Sequence, residues 1–315
     1  MTYPGKPVAL MGAPTDVGAG RRGASLGPEA LRVAGIDSML QRLGVEVKGL
    51  GNLDGPRNPS DTPTDGYRHL REVTAWCRKV YDRVDDTLKA GMLPIVMGGD
   101  HSLSIGSISA IADHCHRESL PLTVFWFDAH ADFNTPKTSP TGYLHGMPVA
   151  VLCGIGPASL TGLARTAPPV DSSCFIQVGV RSVDHIEKRA VADSDMTVFD
   201  MRTVDERGMR SVMAEALETA TRRGGHLHVS FDVDFLDPGI APGTGTPVPG
   251  GPGYREAQLC MEMIYDSQLM GSLDIMELNP ADDVRNKMAH LVIELVASLF
   301  GEQILARHDP PQRKL

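Results

Sequence analysis

The 315-residue sequence lacks the marks of several large protein classes. Positive charge is not in excess: 30 lysines and arginines face 39 aspartates and glutamates, the formal charge is −9, and no run of five or six like charges occurs. The basic surface that neutralises a phosphate backbone is therefore missing, and nucleic acid is excluded as an expected partner. No apolar stretch approaches the ~18–20 residues of a membrane span, and the run from Val8 to Met11 is too short for a signal-peptide core. The expectation is a soluble, cytoplasmic protein with no membrane partner. The five cysteines form no Cys-x-x-Cys pair, so reduced, mostly buried thiols without a catalytic role are expected. Internal repeats and linker-like breaks in composition are missing too. Residues 1–315 are read as one domain, although length alone leaves two open.

What is present is an ordinary globular composition, 42% hydrophobic and 22% charged, with enough chain to bury a large core. Its 33 glycines and 23 prolines fall short of low complexity and belong in many well-placed turns. Short apolar runs alternate with longer amphipathic stretches. Strands are expected at about 8–12, 45–50, 94–98, 123–128, 174–180, 196–200, 226–232 and 272–278. Helices are expected over Pro28–Leu43, Tyr67–Ala90, Thr203–Arg223, Arg255–Met270 and about Asp283–Phe300, with glycine following each. This alternation implies an α/β fold, a parallel sheet covered on both faces. The long loops at about 12–27, 51–66, 129–145 and 237–253 are of a length usually tied to function.

Three strand ends concentrate the chemistry. The run Leu93-Pro-Ile-Val-Met leads into Gly98-Gly-Asp-His-Ser, which delivers His101 where a strand becomes a helix. Thr123-Val-Phe-Trp-Phe ends in Asp128-Ala-His130-Ala-Asp132, whose period of two turns three potential ligands to one side. The strand from His226 ends in Asp232-Val-Asp234. Singly, each has an ordinary explanation: Asp100 or Ser102 as a helix cap beside a structural histidine, and Asp232 and Asp234 as hydrogen-bonded turn residues. Together they do not, because carboxylates ending apolar strands are costly to bury unless a cation compensates them.

The carboxyl ends of parallel strands adjoin at a topological switch point, so these six residues can converge there. Two imidazoles and four carboxylates exceed the needs of one tetrahedral zinc. They suit two octahedral ions sharing carboxylates, with Mn²⁺ favoured. Two divalent ions balance the four aspartates, so a cationic substrate is not repelled. A water shared by two metals drops in pKa from 15.7 towards ~7 and yields hydroxide, a hydrolase's nucleophile. Among the other histidines, His69, His114, His116, His185, His226, His228, His290 and His308 read as surface or packing residues. His145 differs because it sits in the long polar loop beyond Asp132.

Across nearly the whole chain, the ordered motifs resemble the arginase branch of the ureohydrolases. They are Gly12-Ala-Pro-Thr-Asp-Val-Gly-Ala-Gly-Arg-Arg-Gly, Gly98-Gly-Asp-His-Ser, Asp128-Ala-His-Ala-Asp-Phe-Asn-Thr-Pro, His145-Gly-Met-Pro, Ser230-Phe-Asp-Val-Asp, Gly245-Thr-Pro-Val and Met276-Glu-Leu-Asn-Pro. The resemblance implies a three-layer α/β/α sandwich with a central, mostly parallel eight-stranded sheet. It also implies two Mn²⁺ per subunit, hydrolysis of L-arginine to L-ornithine and urea, and a homotrimer or homohexamer. By position it implies one ion on His101, Asp128, Asp132 and Asp232 and another on Asp128, His130, Asp232 and Asp234, with Asp128 and Asp232 bridging and Asp132 also counted as catalytic. Glu277 would hold the guanidinium, Thr246 would line the pocket, and His145 would shuttle a proton to the leaving amine, a task suited to an imidazole of ordinary pKa ~6.5.

For the amino-acid end of the substrate, the resemblance implies that Asn134 and Thr141 contact the α-carboxylate and that Asp184 and Glu187 lie near the α-amino group. Tyr143 stands where the family usually has Asn, Ser182 where Asp is expected, and Phe235 where Gly is common. An agmatinase or guanidino-acid hydrolase would share the metal site and Glu277. Zinc-dependent deacetylases share the architecture but need one metal, and a non-enzymatic role is disfavoured because no expected ligand is lost.

Overall fold

A computed structural model describes residues 5–59 and 63–305, so the first four residues and His308 lie outside the described parts. All eight expected strands form: β1 (Val8–Gly12), β2 (Val47–Asn52), β3 (Leu93–Met97), β4 (Leu122–Phe127), β5 (Phe175–Val180), β6 (Thr197–Asp200), β7 (His226–Asp232) and β8 (Met270–Met276). They make one sheet in the order β2-β1-β3-β8-β7-β4-β5-β6, and every pairing is parallel, where a mostly parallel sheet was expected.

The side-chain period of two sorts the core into two layers. Phe125 and Phe127 of β4 pack on one face with the helices Ile36–Arg42, Met209–Arg223, Tyr254–Ser267 and Lys287–Leu299. Val124 and Trp126 pack on the other, against Leu70–Lys89, Ser104–Glu118 and Pro148–Leu152. Burial on both faces explains why most strands read as continuous apolar runs. β7 departs from this. Leu227, Val229 and Phe231 face the first layer, while the alternate positions His226, His228 and Ser230 are buried and polar. Among the described residues no helix is long and apolar enough to cross a membrane.

Helix ends differ from the sequence reading where local backbone intervenes. Pro28–Leu43 is two helices, Gly27–Ala34 and Ile36–Arg42, broken at Gly35 with φ 93°. Thr203–Arg223 likewise divides at Gly208. The helix expected over Arg255–Met270 stops at Ser267, where Gln268 turns left-handed, and Met270 already belongs to β8. The helices expected from Tyr67 and Asp283 begin only at Leu70 and Lys287, each after a left-handed residue, His69 or Asn286. Short helices at Ala158–Thr161 and Glu187–Ala192 carry too few turns for a periodic signal. All five cysteines are free; Cys77, Cys115 and Cys260 are buried and Cys153 and Cys174 partly so.

Candidate metal centre

Strand order builds the site. β3, β8, β7 and β4 are neighbours at the sheet centre; β7 ends in Asp232, and the carboxyl ends of β3, β8 and β4 lead into His101, Glu277 and Asp128. His101 opens a short turn whose cap is Asp100, which accepts from the Ser102 N–H at 3.1 Å and from the Gly18 N–H at 2.9 Å. Burial and the nearby charge of Glu277 push the Asp100 carboxyl up to about 6. Asp132 and Glu277 both hold left-handed backbone, at φ 50° and 62°, an unfavourable choice for non-glycine residues that clusters at functional sites.

Two trios of ligand atoms result: His101, Asp128 and Asp232, and Asp128, His130 and Asp234. Asp128 joins them. Its Oδ2 lies 3.1 Å from His101 Nδ1 and its Oδ1 3.3 Å from His130 Nδ1. The Trp126 indole donates to Asp128 Oδ2 at 2.9 Å, and its ring stacks on His101 with centroids 4.1 Å apart. Asp232 Oδ2 is 2.9 Å from His101 Nδ1, while its Oδ1 accepts the Asp234 N–H at 2.8 Å. Asp234 in turn lies 3.2 Å from His130 Nδ1 and accepts from the Thr246 hydroxyl at 3.0 Å. Asp132 belongs to neither trio but comes within 3.4 Å of His101 Nδ1.

The electrostatics fit a cation. Burial alone would discharge His101, yet the Asp128 and Asp232 carboxylates outweigh it and hold the imidazole well above its ordinary range. His130 is raised in the same way, by Asp234 and Asp128 against burial. Burial and crowding by Asp128 drive Asp132 well above the carboxylate range, and burial with Asp234 and Asp128 does so for Asp232. With Asp132 and Asp232 raised in this way, the cluster resists full ionisation unaided. Two divalent ions would supply the missing positive charge, and the imidazole–carboxylate donors suit Mn²⁺.

Above the trios lies a pocket of about 220 Å³. His101, His130, Asp132, Asp232, His145, Thr246 and Glu277 reach it from the sheet side, and Asn134, Thr141, Tyr143, Ser182, Asp184 and Glu187 from the rim. Glu277 Oε1 accepts the His101 N–H at 2.9 Å and lies 3.1 Å from His145 Nδ1. Asn134 donates to Asp184 at 2.9 Å and accepts from Thr138 at 2.8 Å. Both Glu187 oxygens take backbone N–H groups, from Phe133 at 2.8 Å and Asp184 at 3.1 Å, so this buried acid ties the 129–145 loop to its neighbour. Phe235 is absent from the pocket; it is fully buried, 5.2 Å from the Phe127 ring and 6.3 Å from Phe231.

Sequence reasoning passed over Arg181. Its guanidinium donates to the carbonyls of Asp234 at 2.8 Å, Phe235 at 3.1 Å and Val248 at 2.8 Å, pinning the Asp232–Asp234 turn to the loop that carries Thr246. A lone arginine after an apolar strand was the available signal. Ser139, Pro140 and Gly146 also line the pocket and were not singled out.

Comparison with known proteins gives a consistent result. The model of the Arginase family matches residues 6–301. The arginase of Bacillus caldovelox is 39% identical over 302 residues, covering 95% of this chain and all of that one. The native structure of Bacillus caldovelox arginase superimposes with a TM-score of 0.90 at 38% identity, covering 95% of this chain and 100% of that one. The structure of Entamoeba histolytica arginase in complex with L-ornithine matches with a TM-score of 0.87 at 30% identity, covering 94% and 99%.

Proposed function

The chain belongs to the arginase family of hydrolases, and from that premise we propose that it cleaves the guanidino group of L-arginine to give L-ornithine and urea with two Mn²⁺ ions. The observation that carries this reading is the Asp128 carboxylate, which spans the two imidazoles beneath a pocket lined by Glu277 and His145. In this reading His101, Asp128, Asp132 and Asp232 hold one ion, and Asp128, His130, Asp232 and Asp234 hold the other. When bound, the ions supply a water acidic enough to lose its proton near neutral pH.

The chain's own side chains do the rest. Glu277, fixed through Oε1 by the His101 N–H and His145, keeps Oε2 for the guanidinium. His145, with Nδ1 turned to Glu277, uses Nε2 to pass a proton to the leaving amine. Although burial opposes its charge, the hydrogen bond to Glu277 raises the His145 pKa, which suits a proton donor at neutral pH. Thr246 orients Asp234 and bounds the pocket. Asn134, Thr141 and Tyr143 take the α-carboxylate, and Asp184 and Glu187 the α-ammonium. The single domain over 1–315 works as a cytoplasmic homotrimer or homohexamer.

A second reading, a guanidino substrate without the carboxylate, is favoured by one observation: the Asn134 amide is already engaged by Asp184 and Thr138. Steady-state urea release from arginine, agmatine and 4-guanidinobutyrate separates the two. Arginine is expected to have the highest kcat/KM, and a higher value for agmatine would leave the ureohydrolase chemistry but remove the arginase assignment.

A further inference from the structure

Beneath the metal centre the sheet buries a polar stripe that the reaction above does not use. β7 contributes His228 and Ser230, β8 contributes Ser272 and Asp274, and the helix over them contributes Ser104 and Ser107. Each is 1% exposed or less. Apolar side chains of similar volume would stabilise the interior at least as well, so the stripe needs another reason.

Its hydrogen bonds have a direction. His101 turns Nδ1 to Asp232 and Asp128, at 2.9 and 3.1 Å, and its Nε2 lies 2.8 Å from Ser230 Oγ. For Nδ1 to offer a lone pair to a cation, Nε2 must carry the hydrogen and Ser230 Oγ must accept it. The Ser230 hydrogen then needs its own acceptor. Among the described residues, the only other partner of that hydroxyl is Ser104 Oγ, at 3.4 Å. Ser104 donates onward to Asp274 Oδ2 at 3.0 Å. A carboxylate can only accept, so with Asp274 ending the chain both hydroxyls point away from His101.

We propose that Ser104 and Asp274 are positioning residues, and that the chain Ser230–Ser104–Asp274 holds His101 in the form whose Nδ1 is free to bind a cation. The inference rests on reading His101 as a metal ligand. Without Ser104, the Ser230 hydrogen loses its acceptor and can turn to Nε2, which disfavours the neutral form with Nδ1 free, the only form that takes a cation, so apparent affinity falls with the fraction of competent protein. Ser107 is an internal comparison. It donates to the same Asp274 oxygen, yet its hydroxyl contacts neither Ser230 nor His101.

The experiment is calorimetric titration of Mn²⁺ into metal-stripped wild type, Ser104→Ala and Ser107→Ala. Alanine suits the helix, and thermal unfolding verifies that both variants keep the fold before they are compared. Wild type is expected to bind two ions. Ser104→Ala is expected to weaken one step by about 10-fold or more, as for partners behind a metal-binding histidine, with the other step and both steps of Ser107→Ala within about 2-fold. Equal losses in both variants, or wild-type affinity in Ser104→Ala, would overturn the proposal while the two-ion reading stands. A wild type that binds fewer than two ions overturns both.

Discussion

His145 and Glu277 lie 132 residues apart in the chain, yet His145 Nδ1 sits 3.1 Å from Glu277 Oε1 at the pocket wall. Against the opposing effect of burial, this contact raises the pKa of the imidazole. The stabilisation of its charged form is fully present below the ordinary pKa of ~6.5 and is lost as pH rises through the raised value. Glu277→Gln should therefore lower the His145 pKa in an NMR titration of the metal-free protein; an unchanged value would separate the two residues. His145→Ala should lower kcat by ~10²–10⁴-fold with two Mn²⁺ still bound, and loss of metal instead would make it structural.

Phe235 stabilises the fold and leaves the pocket alone. It packs between Phe127 and Phe231, and the space is available because Gly179, at φ 96°, has no side chain to meet its ring. Phe235→Ala should cost about 3–5 kcal/mol in denaturant unfolding without changing the number of ions bound. A variant of wild-type stability, or one that binds a single ion, contradicts this placement.

Tyr143 is half-buried at the pocket rim. The Arg68 guanidinium lies 5.0 Å from its ring centroid and donates from Nε to the Thr141 carbonyl at 2.9 Å. Tyr143→Asn should change KM for arginine more than kcat, because it alters a contact remote from the reacting carbon. Equal falls in kcat and kcat/KM would instead give Tyr143 a role in the transition state.

Metal loading should release protons. Against the opposing effect of burial, the surrounding aspartates raise the His101 and His130 imidazoles, and burial with crowding raises Asp132 and Asp232, whereas ligands must bind a cation deprotonated. Calorimetry near pH 7 in buffers of different ionisation enthalpy should give a heat that varies with the buffer in the sense of proton release. A heat independent of the buffer contradicts it.

The sheet was legible because every strand is a short run with distinct turns after it, and the ligands because they follow those runs at fixed spacing. Helix breaks were less so. The helices expected over Pro28–Leu43 and Thr203–Arg223 run across Gly35 and Gly208, where the backbone breaks them, while Gln268 takes the left-handed turn ahead of Gly271. The role of Glu187 was hidden for a different reason: its partners are backbone N–H groups of Phe133 and Asp184, which no side-chain pattern reports. The polar face of β7 was present in the sequence as His226, His228 and Ser230. It passed for part of an apolar run because its partners, Ser104 and Asp274, come from distant segments.

The most direct test of the central claim is urea release from arginine as Mn²⁺ is added stepwise to metal-stripped protein, alongside Asp128→Asn. The account predicts activity that saturates at two ions per chain, and a variant that loses metal affinity and at least ~10²-fold in rate because one carboxylate serves both ions. Full activity at one ion per chain, or an Asp128→Asn protein with two tightly bound ions and near-normal turnover, would contradict it.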